Sequence, residues 1–160
     1  MCCATSPALA DSGAGSASVT VAQPVHIERD ADLYFGGFMR GPGFGTGDTI
    51  EVLSSGGAPN YSNVSHFIPI FSHPTHPAKF TISGAPGFDV SVQLPAPNLS
   101  IGAGMRVQNI FADVPHGTAF TMPPSGSVDY FMGGRLQVMD GAAVTAGEHG
   151  ASFTLTVNYQ

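Results

Sequence analysis

The clearest strand signal in this sequence is the stretch Phe88-Asp89-Val90-Ser91-Val92-Gln93-Leu94, in which apolar and polar residues alternate without a break. Alternation with a period of two places all the apolar side chains on one face of a β-strand. Just before it, Gly84-Ala85-Pro86-Gly87 has the composition of a turn, and Phe80 and Ile82 alternate with polar residues. The segment 80–94 therefore predicts a β-hairpin with a loop of about four residues.

The same alternation recurs along the rest of the chain. Toward the N-terminus it predicts strands over 17–27, 33–35 and 49–53. Toward the C-terminus it predicts strands over 105–114, 120–122, 128–139 and 151–160. About eight to ten short strands without a helical period predict an all-β, immunoglobulin-like or pilin-like β-sandwich. A closed barrel is the alternative architecture.

Glycine and proline mark the connections between these strands. Segment 41–47 is predicted to be a glycine-rich turn, and segment 54–77 a long loop with one short strand. Pro123-Pro124 is expected to end a strand, because proline has no N–H to donate to the ladder. Gly133-Gly134 predicts a bulge or a sharp bend within its strand.

The composition agrees with one folded domain that has an uncharged polar surface. Of the 160 residues, 42% are hydrophobic and only 10% are charged, and the 21 glycines and 13 prolines suit a chain with many turns. The net charge is −6 and no cluster of Lys or Arg is present, which argues against nucleic acid as a partner. No apolar run reaches the roughly 20 residues of a membrane span.

The first residues predict export. Ala8-Leu9-Ala10 has the small-x-small pattern of a signal-peptidase site. We interpret 1–10, which holds Cys2 and Cys3, as the end of a signal peptide, 11–16 as a flexible leader and 17–160 as a single sandwich domain. The expected location is the periplasm and then the cell surface or the medium. The alternative for 1–10 is an unstructured cytosolic N-terminus.

Several stretches, taken in order, resemble a family of bacterial secreted proteins known as domain-of-unknown-function family 4402. The resemblance implies export and an immunoglobulin-like or pilin-like sandwich, and it implies no known activity. The stretches that carry it are Ser18-Val19-Thr20-Val21-Ala22-Gln23-Pro24, Asp32-Leu33-Tyr34-Phe35-Gly36, Phe80-Thr81-Ile82-Ser83-Gly84, Gly133-Gly134-Arg135-Leu136 and Phe153-Thr154-Leu155-Thr156-Val157-Asn158-Tyr159.

The segment 147–160 also resembles the C-terminus of chaperone–usher pilins, with Tyr159 as the penultimate residue and Gly147 ahead of the strand. In such pilins an N-terminal extension of one subunit completes the sandwich of the next. The resemblance implies a periplasmic chaperone, an outer-membrane assembly machinery and self-association into a fibre. It implies a donor strand within 17–27 and an acceptor edge at 151–160. The donor residues are Val19, Val21, Val25 and Ile27, and the acceptor residues are Gly147, Phe153, Leu155, Val157 and Tyr159.

Two features depart from the pilin pattern. Such pilins often carry a disulfide within the domain, and no cysteine follows Cys3. The chain also has enough predicted strands to close its own sandwich. In that case the segment 17–27 is simply its first strand.

Residues that could carry chemistry are sparse. His66, His73 and His76 are weak candidate metal ligands, because two imidazoles in one loop can share an ion, but no cysteine or carboxylate lies beside them. There is no Gly-x-Ser-x-Gly motif, and the glycine-rich segment 41–47 lacks the lysine of a phosphate-binding loop. The acidic residues are scattered and mostly flank turns. We therefore predict neither catalysis nor a cofactor.

The sequence favours a non-catalytic exported structural protein, a pilus or fibre subunit that assembles by β-strand addition. The alternative is a monomeric cell-surface or secreted module that binds a glycan or a protein.

Overall fold

The computed structural model describes residue 19, residues 21–112 and residues 115–160, which form an all-β fold. Twelve strands lie within these residues, against the eight to ten expected. In chain order they are β1 (His26–Ala31), β2 (Gly37–Arg40), β3 (Thr49–Val52), β4 (Asn60–Tyr61), β5 (Phe67–Ile70), β6 (Ala78–Ser83), β7 (Asp89–Gln93), β8 (Leu99–Gly102), β9 (Met105–Phe111), β10 (Ala119–Thr121), β11 (Ser127–Val138) and β12 (Thr156–Tyr159).

A seven-stranded antiparallel sheet is built around β11, a strand of 12 residues. The first half of β11 pairs with β6, which in turn pairs with β1. The second half pairs with both β3 and β9, and these extend the sheet to β4 and β8. One long strand therefore serves two different sets of neighbours.

A three-stranded sheet in the order β10-β7-β12 packs against the first half of β11 and encloses the first core. The alternation of β6 and β7 explains this packing, because each strand buries every second residue. Ile82, Val90 and Tyr130 are fully buried there. The packing of the two sheets confirms the predicted β-sandwich.

The hairpin predicted over 80–94 is wrong. The turn at 84–87 lies where predicted, but β6 pairs with β1 and β11, whereas β7 pairs with β10 and β12. The chain thus crosses from one sheet to the other at this turn. The reason is that the apolar faces of both strands are strong enough to face each other across a core, and alternation alone does not distinguish this arrangement from edge-to-edge pairing.

A two-stranded sheet of β2 and β5 covers the second half of β11 and encloses a second core. Four aromatic side chains meet there: the ring of Phe67 lies 5.1 Å from Phe38, 5.4 Å from Phe44 and 5.5 Å from Tyr61. The segment 54–77, expected to hold one short strand, therefore supplies two, β4 and β5.

The bulge predicted at Gly133-Gly134 lies one residue further along the chain, and β11 runs through both glycines as one strand. The register shift lies opposite Arg135 and Leu136, in β9. The glycines serve close approach instead. A Cβ at Gly133 would lie 2.3 Å from the backbone oxygen of Val52, and one at Gly134 would lie 2.8 Å from the side chain of Leu33.

Both ends of the described domain differ from the expected strands. The first strand, expected over 17–27, is β1 at His26–Ala31, and residues 17, 18 and 20 lie outside the described residues. The last strand, expected over 151–160, is limited to β12 at Thr156–Tyr159. No helix in the described ranges has the length and apolarity that crossing a membrane requires.

Candidate assembly site

The edge strands β1 and β12 lie on the same side of the sandwich. β1 ends one path of the large sheet, and β12 ends the three-stranded sheet. The hydroxyl of Tyr159, the last residue of β12, donates a hydrogen bond of 2.7 Å to the backbone oxygen of Gln23, just before β1. The two edges therefore meet at one open side of the first core.

The short length of β12 follows from its partner. β7 ends at Gln93, and Pro95 and Pro97 follow, neither of which has an N–H to donate. The ladder therefore starts at the pair Thr156 and Gln93 and ends at Tyr159 and Val90.

The apolar alternation of the last strand continues upstream of its ladder. Phe153 and Leu155 are half-buried against the first core, although they precede β12. Within the described residues β12 pairs with β7 alone. Its other edge is therefore a row of backbone groups beside apolar side chains that already face the core, the arrangement to which an added strand pairs.

The structure divides the four predicted donor residues into two pairs. Val25 and Ile27 are half-buried against the first core of their own chain, and Ile27 belongs to β1. Val19 and Val21 lie outside every strand and are 87% and 86% exposed. Pro24, which cannot donate to a ladder, separates the two pairs. Only the segment before Gln23 is thus left as a candidate donor.

The hydroxyl of Tyr159 joins three segments of the chain. It accepts a hydrogen bond of 2.6 Å from the N–H of Ala85 in the turn between β6 and β7, and it donates to Gln23. Gly84 leaves the room for this contact, because a Cβ there would lie 2.5 Å from the hydroxyl oxygen. The ring of Phe88 lies 5.6 Å from that of Tyr159. Sequence reasoning selected Tyr159 by its position but did not identify these partners.

The remaining predicted acceptor residues lie in different parts of the structure. Phe153, Leu155 and Val157 all pack against the first core together with Tyr159. Gly147 lies well before β12, has a φ of 130° and would place a side chain in open space. Gly147 is therefore a turn residue that the structure does not bring to the edge.

The three candidate metal ligands have separate partners. His66 Nδ1 lies 2.8 Å from Asp48 Oδ1, His73 Nδ1 lies 2.9 Å from the hydroxyl of Ser72, and the His76 ring lies 5.5 Å from that of Tyr34. Across the described ranges no three His, Cys, Asp or Glu residues are grouped as a metal site would require.

Asp48 and His66 form a partly buried polar contact that sequence reasoning missed. Asp48 also accepts a hydrogen bond of 2.8 Å from the N–H of Gly45, and His66 Nε2 lies 2.9 Å from Asn63 Nδ2. A general base needs an accessible nitrogen, but here Asn63 occupies Nε2 and a Cβ at Gly43 would lie 2.7 Å from it. The contact therefore fastens the glycine-rich turn to the chain ahead of β5.

With this geometry in place, comparison with known proteins gives one result. The family model described as "Domain of unknown function (DUF4402)" matches residues 25–159. The chain belongs to the DUF4402 family. Curated proteins and solved structures give no match.

The match to DUF4402 coincides with the folded domain. It runs from Val25, the half-buried residue directly before β1, to Tyr159, the last residue of β12. Val19 and Val21 lie upstream of the matched region. The exposed segment thus precedes the DUF4402 domain, whereas the β12 edge belongs to it.

The DUF4402 domain also has two adjoining recesses that share Ser54 and Ser55. The larger, of about 420 Å³, includes Phe131, Asp129 and His116 in its lining, and the smaller, of about 290 Å³, includes Phe111 and Arg135. Their charges are already paired: Arg135 Nε lies 2.8 Å from Glu51 Oε2, and Lys79 Nζ lies 3.0 Å from Asp129 Oδ2. The hydrogen bond that Lys79 donates to the Asp129 carboxylate raises the pKa of Lys79.

Proposed function

We propose that this protein is a non-catalytic, exported structural subunit that assembles at the cell surface by β-strand addition. The segment before Gln23 of one copy adds to the free edge of β12 in the next copy. The observation that carries the proposal is the pair Val19 and Val21, nearly fully exposed on a segment that leaves the domain beside an edge strand.

The two segments proposed to pair contain no charged residue. Residues 12–25 contain no Asp, Glu, Lys or Arg, and neither do residues 149–160. The net charge of −6 therefore comes from residues outside these two segments. Pairing them therefore requires no charged group to lose its water, which is the main cost of burying polar surface.

Strand addition would supply both affinity and register. New backbone hydrogen bonds along the free edge contribute about 0.5–1.5 kcal/mol each. Burial of Val19 and Val21 contributes roughly 1.5–3 kcal/mol each. Since the two valines are separated by one residue, both face the same side of an added strand, toward the half-buried Phe153 and Leu155. A shift by one residue would expose both valines, so the valines fix the register.

The decisive experiment places charge on alternate faces of the proposed donor strand. Val19→Asp with Val21→Asp puts carboxylates where apolar contacts are proposed. Ser18→Asp with Thr20→Asp adds the same charge to the same segment on the other face, as the matched control. Assembly of the full chain and of both variants is measured by sedimentation velocity and negative-stain electron microscopy.

We expect filaments or concentration-dependent oligomers for the wild type and for Ser18→Asp/Thr20→Asp, and monomers for Val19→Asp/Val21→Asp. A wild type that stays monomeric at high concentration would contradict the proposal. Equal loss of assembly in both variants would also contradict it, because the effect would then come from charge rather than from the apolar face.

A monomeric binding module is the second candidate, favoured by the recesses lined by Phe131 and Phe111. An apolar surface flanked by paired charges suits a neutral sugar, whose C–H faces pack on aromatic rings while its hydroxyls meet polar groups. Phe131→Ala is then expected to abolish binding to a glycan array while leaving assembly unchanged. This variant separates the two candidate functions.

A further inference from the structure

We infer that Tyr159 is a positioning residue for assembly. Its hydroxyl fixes Gln23 at the end of β12 and so directs the residues before Gln23 away from the edge strand of their own chain. The inference rests on the proposed function for its purpose, but the contact itself acts within one copy. It can therefore be measured in the monomer.

The strand directions show what the contact prevents. β1 begins with the pair His26 and Ser83, and β12 ends with the pair Tyr159 and Val90. Both pairs lie next to the turn at 84–87, so Gln23 and Tyr159 are at the same end of the open side. If the segment before Gln23 paired with the free edge of β12 in its own chain, it would lie parallel to β12, with Gln23 at the Tyr159 end of that strand.

The exposure of Val19 and Val21 indicates that these two residues do not lie along β12. Val19 and Val21 are 87% and 86% exposed, whereas a strand along β12 would bury them against Phe153 and Leu155. Three contacts attach this part of the chain to the domain. They are the hydrogen bond to Gln23, the packing of the half-buried Val25 and the strand pairing that begins at His26. Among the described residues, the hydrogen bond from Tyr159 is thus the outermost hydrogen bond between the domain and the segment before β1.

The shape of the site favours this contact. The Ala85 N–H holds the hydroxyl oxygen as an acceptor, which leaves the hydroxyl hydrogen for Gln23. Gly84 has no side chain in the 2.5 Å gap next to the oxygen. The hydroxyl can thus be removed in Tyr159→Phe or displaced in Gly84→Ala. These two variants act on the same contact from opposite sides.

The first measurement is hydrogen exchange of the monomer, with Tyr159→Phe and Gly84→Ala each introduced into the Val19→Asp/Val21→Asp background. Sedimentation velocity verifies that each sample is monomeric. Loss of one hydrogen bond at the anchor is expected to speed exchange of the amides at 25–27 by about fivefold. The amides of β12 that pair with β7 are expected to keep their protection. Tyr34→Phe, the same chemical change at a ring that packs on His76, is the matched control.

The second measurement is assembly of Tyr159→Phe and Gly84→Ala in the otherwise wild-type chain. We expect fewer filaments and a new monomer in which Val19 and Val21 are protected from exchange, because the released segment can fill its own edge. Tyr34→Phe should assemble normally.

The outcomes separate the two claims. Unchanged exchange at 25–27 in Tyr159→Phe would overturn the inference, whether or not the protein assembles. Faster exchange at 25–27 together with wild-type assembly would overturn the inference as well, because loss of the Tyr159 hydrogen bond would then not affect strand addition. A wild type that never assembles would overturn the proposed function before any of these variants is made, and the positioning role with it.

Discussion

At the scale of single residues, Asp48 is a buried carboxylate outside the assembly site with several hydrogen-bond partners. It is buried, and its two oxygens accept hydrogen bonds from His66 Nδ1 and the Gly45 N–H at 2.8 Å each. A donor inside the protein that loses its acceptor has given up its hydrogen bonds to water and gains none in return. Removing one partner of the network is therefore more destabilising than replacing both partners by apolar groups. We interpret Asp48 as a structural residue of the second core.

Asp48→Ala is therefore expected to lower the free energy of unfolding by about 3 kcal/mol, because it leaves the His66 and Gly45 donors without an acceptor. Urea denaturation measures the change. Asp32→Ala is the matched control: Asp32 is 72% exposed and pairs with Arg29, and such a surface pair contributes less than about 1 kcal/mol. Equal, small effects of the two substitutions would contradict the structural role of Asp48.

The sequence indicated residues of this kind only in part. Tyr159 was selected as the penultimate residue of a segment that resembles the C-terminus of chaperone–usher pilins, and in the structure it is half-buried against the first core. Its bonds to Ala85 and Gln23, like that between Asp48 and His66, join residues far apart in the chain. Alternation is a local signal and carries no information about such pairs. The three histidines, which were only weak candidates for metal ligands, were also selected by spacing alone, and their side chains contact different partners.

At the scale of strands, local periodicity predicted where strands form better than which strands pair. The positions of β6, β7 and the turn between them follow from alternation and from Gly84 to Gly87. Their placement in different sheets depends on competition among all apolar faces for partners, which no single stretch decides. Likewise, the prolines after β7 end the ladder of β12, although the residues of β12 alone predict a longer strand.

The strand β11 depends on the absence of a side chain at Gly133, where its neighbour changes from β6 to β3 and β9. Gly133→Ala would place a Cβ 2.3 Å from the Val52 oxygen and 2.6 Å from the Ser54 nitrogen, both backbone atoms that cannot rotate away. We expect a loss of stability of about 2–3 kcal/mol, typical of overpacking.

Thermal or urea unfolding of Gly133→Ala measures this loss. Gly150→Ala is the control, since a Cβ there meets open space, and its effect should stay within about 0.5 kcal/mol. If Gly133→Ala were as stable as Gly150→Ala, β11 would not run through the glycines as one strand in close contact with the end of β3.

At the scale of the whole molecule, electrostatic repulsion between copies acts over a longer distance than the contacts proposed to hold the assembly together. The two proposed contact segments contain no charged residue, whereas the chain as a whole carries a net charge of −6. Copies therefore repel one another on approach without meeting a charge at the contact. Screening extends over about 30 Å at 0.01 M salt and about 8 Å at 0.15 M, so added salt removes the repulsion between approaching copies.

If strand addition is the mode of assembly, the growth rate should rise severalfold from low to physiological salt, while the dissociation rate stays nearly constant. Light scattering during growth and after dilution measures the two rates. Glu28→Gln with Glu148→Gln removes two exposed acidic charges outside both contact segments. Assemblies of this variant should grow faster than those of the wild type at low salt and equally fast at high salt, because only the long-range electrostatic repulsion between copies has changed. A dissociation rate that increases strongly with salt would mean that ion pairs hold the assembly together, and the uncharged segments 12–25 and 149–160 would not be its contact.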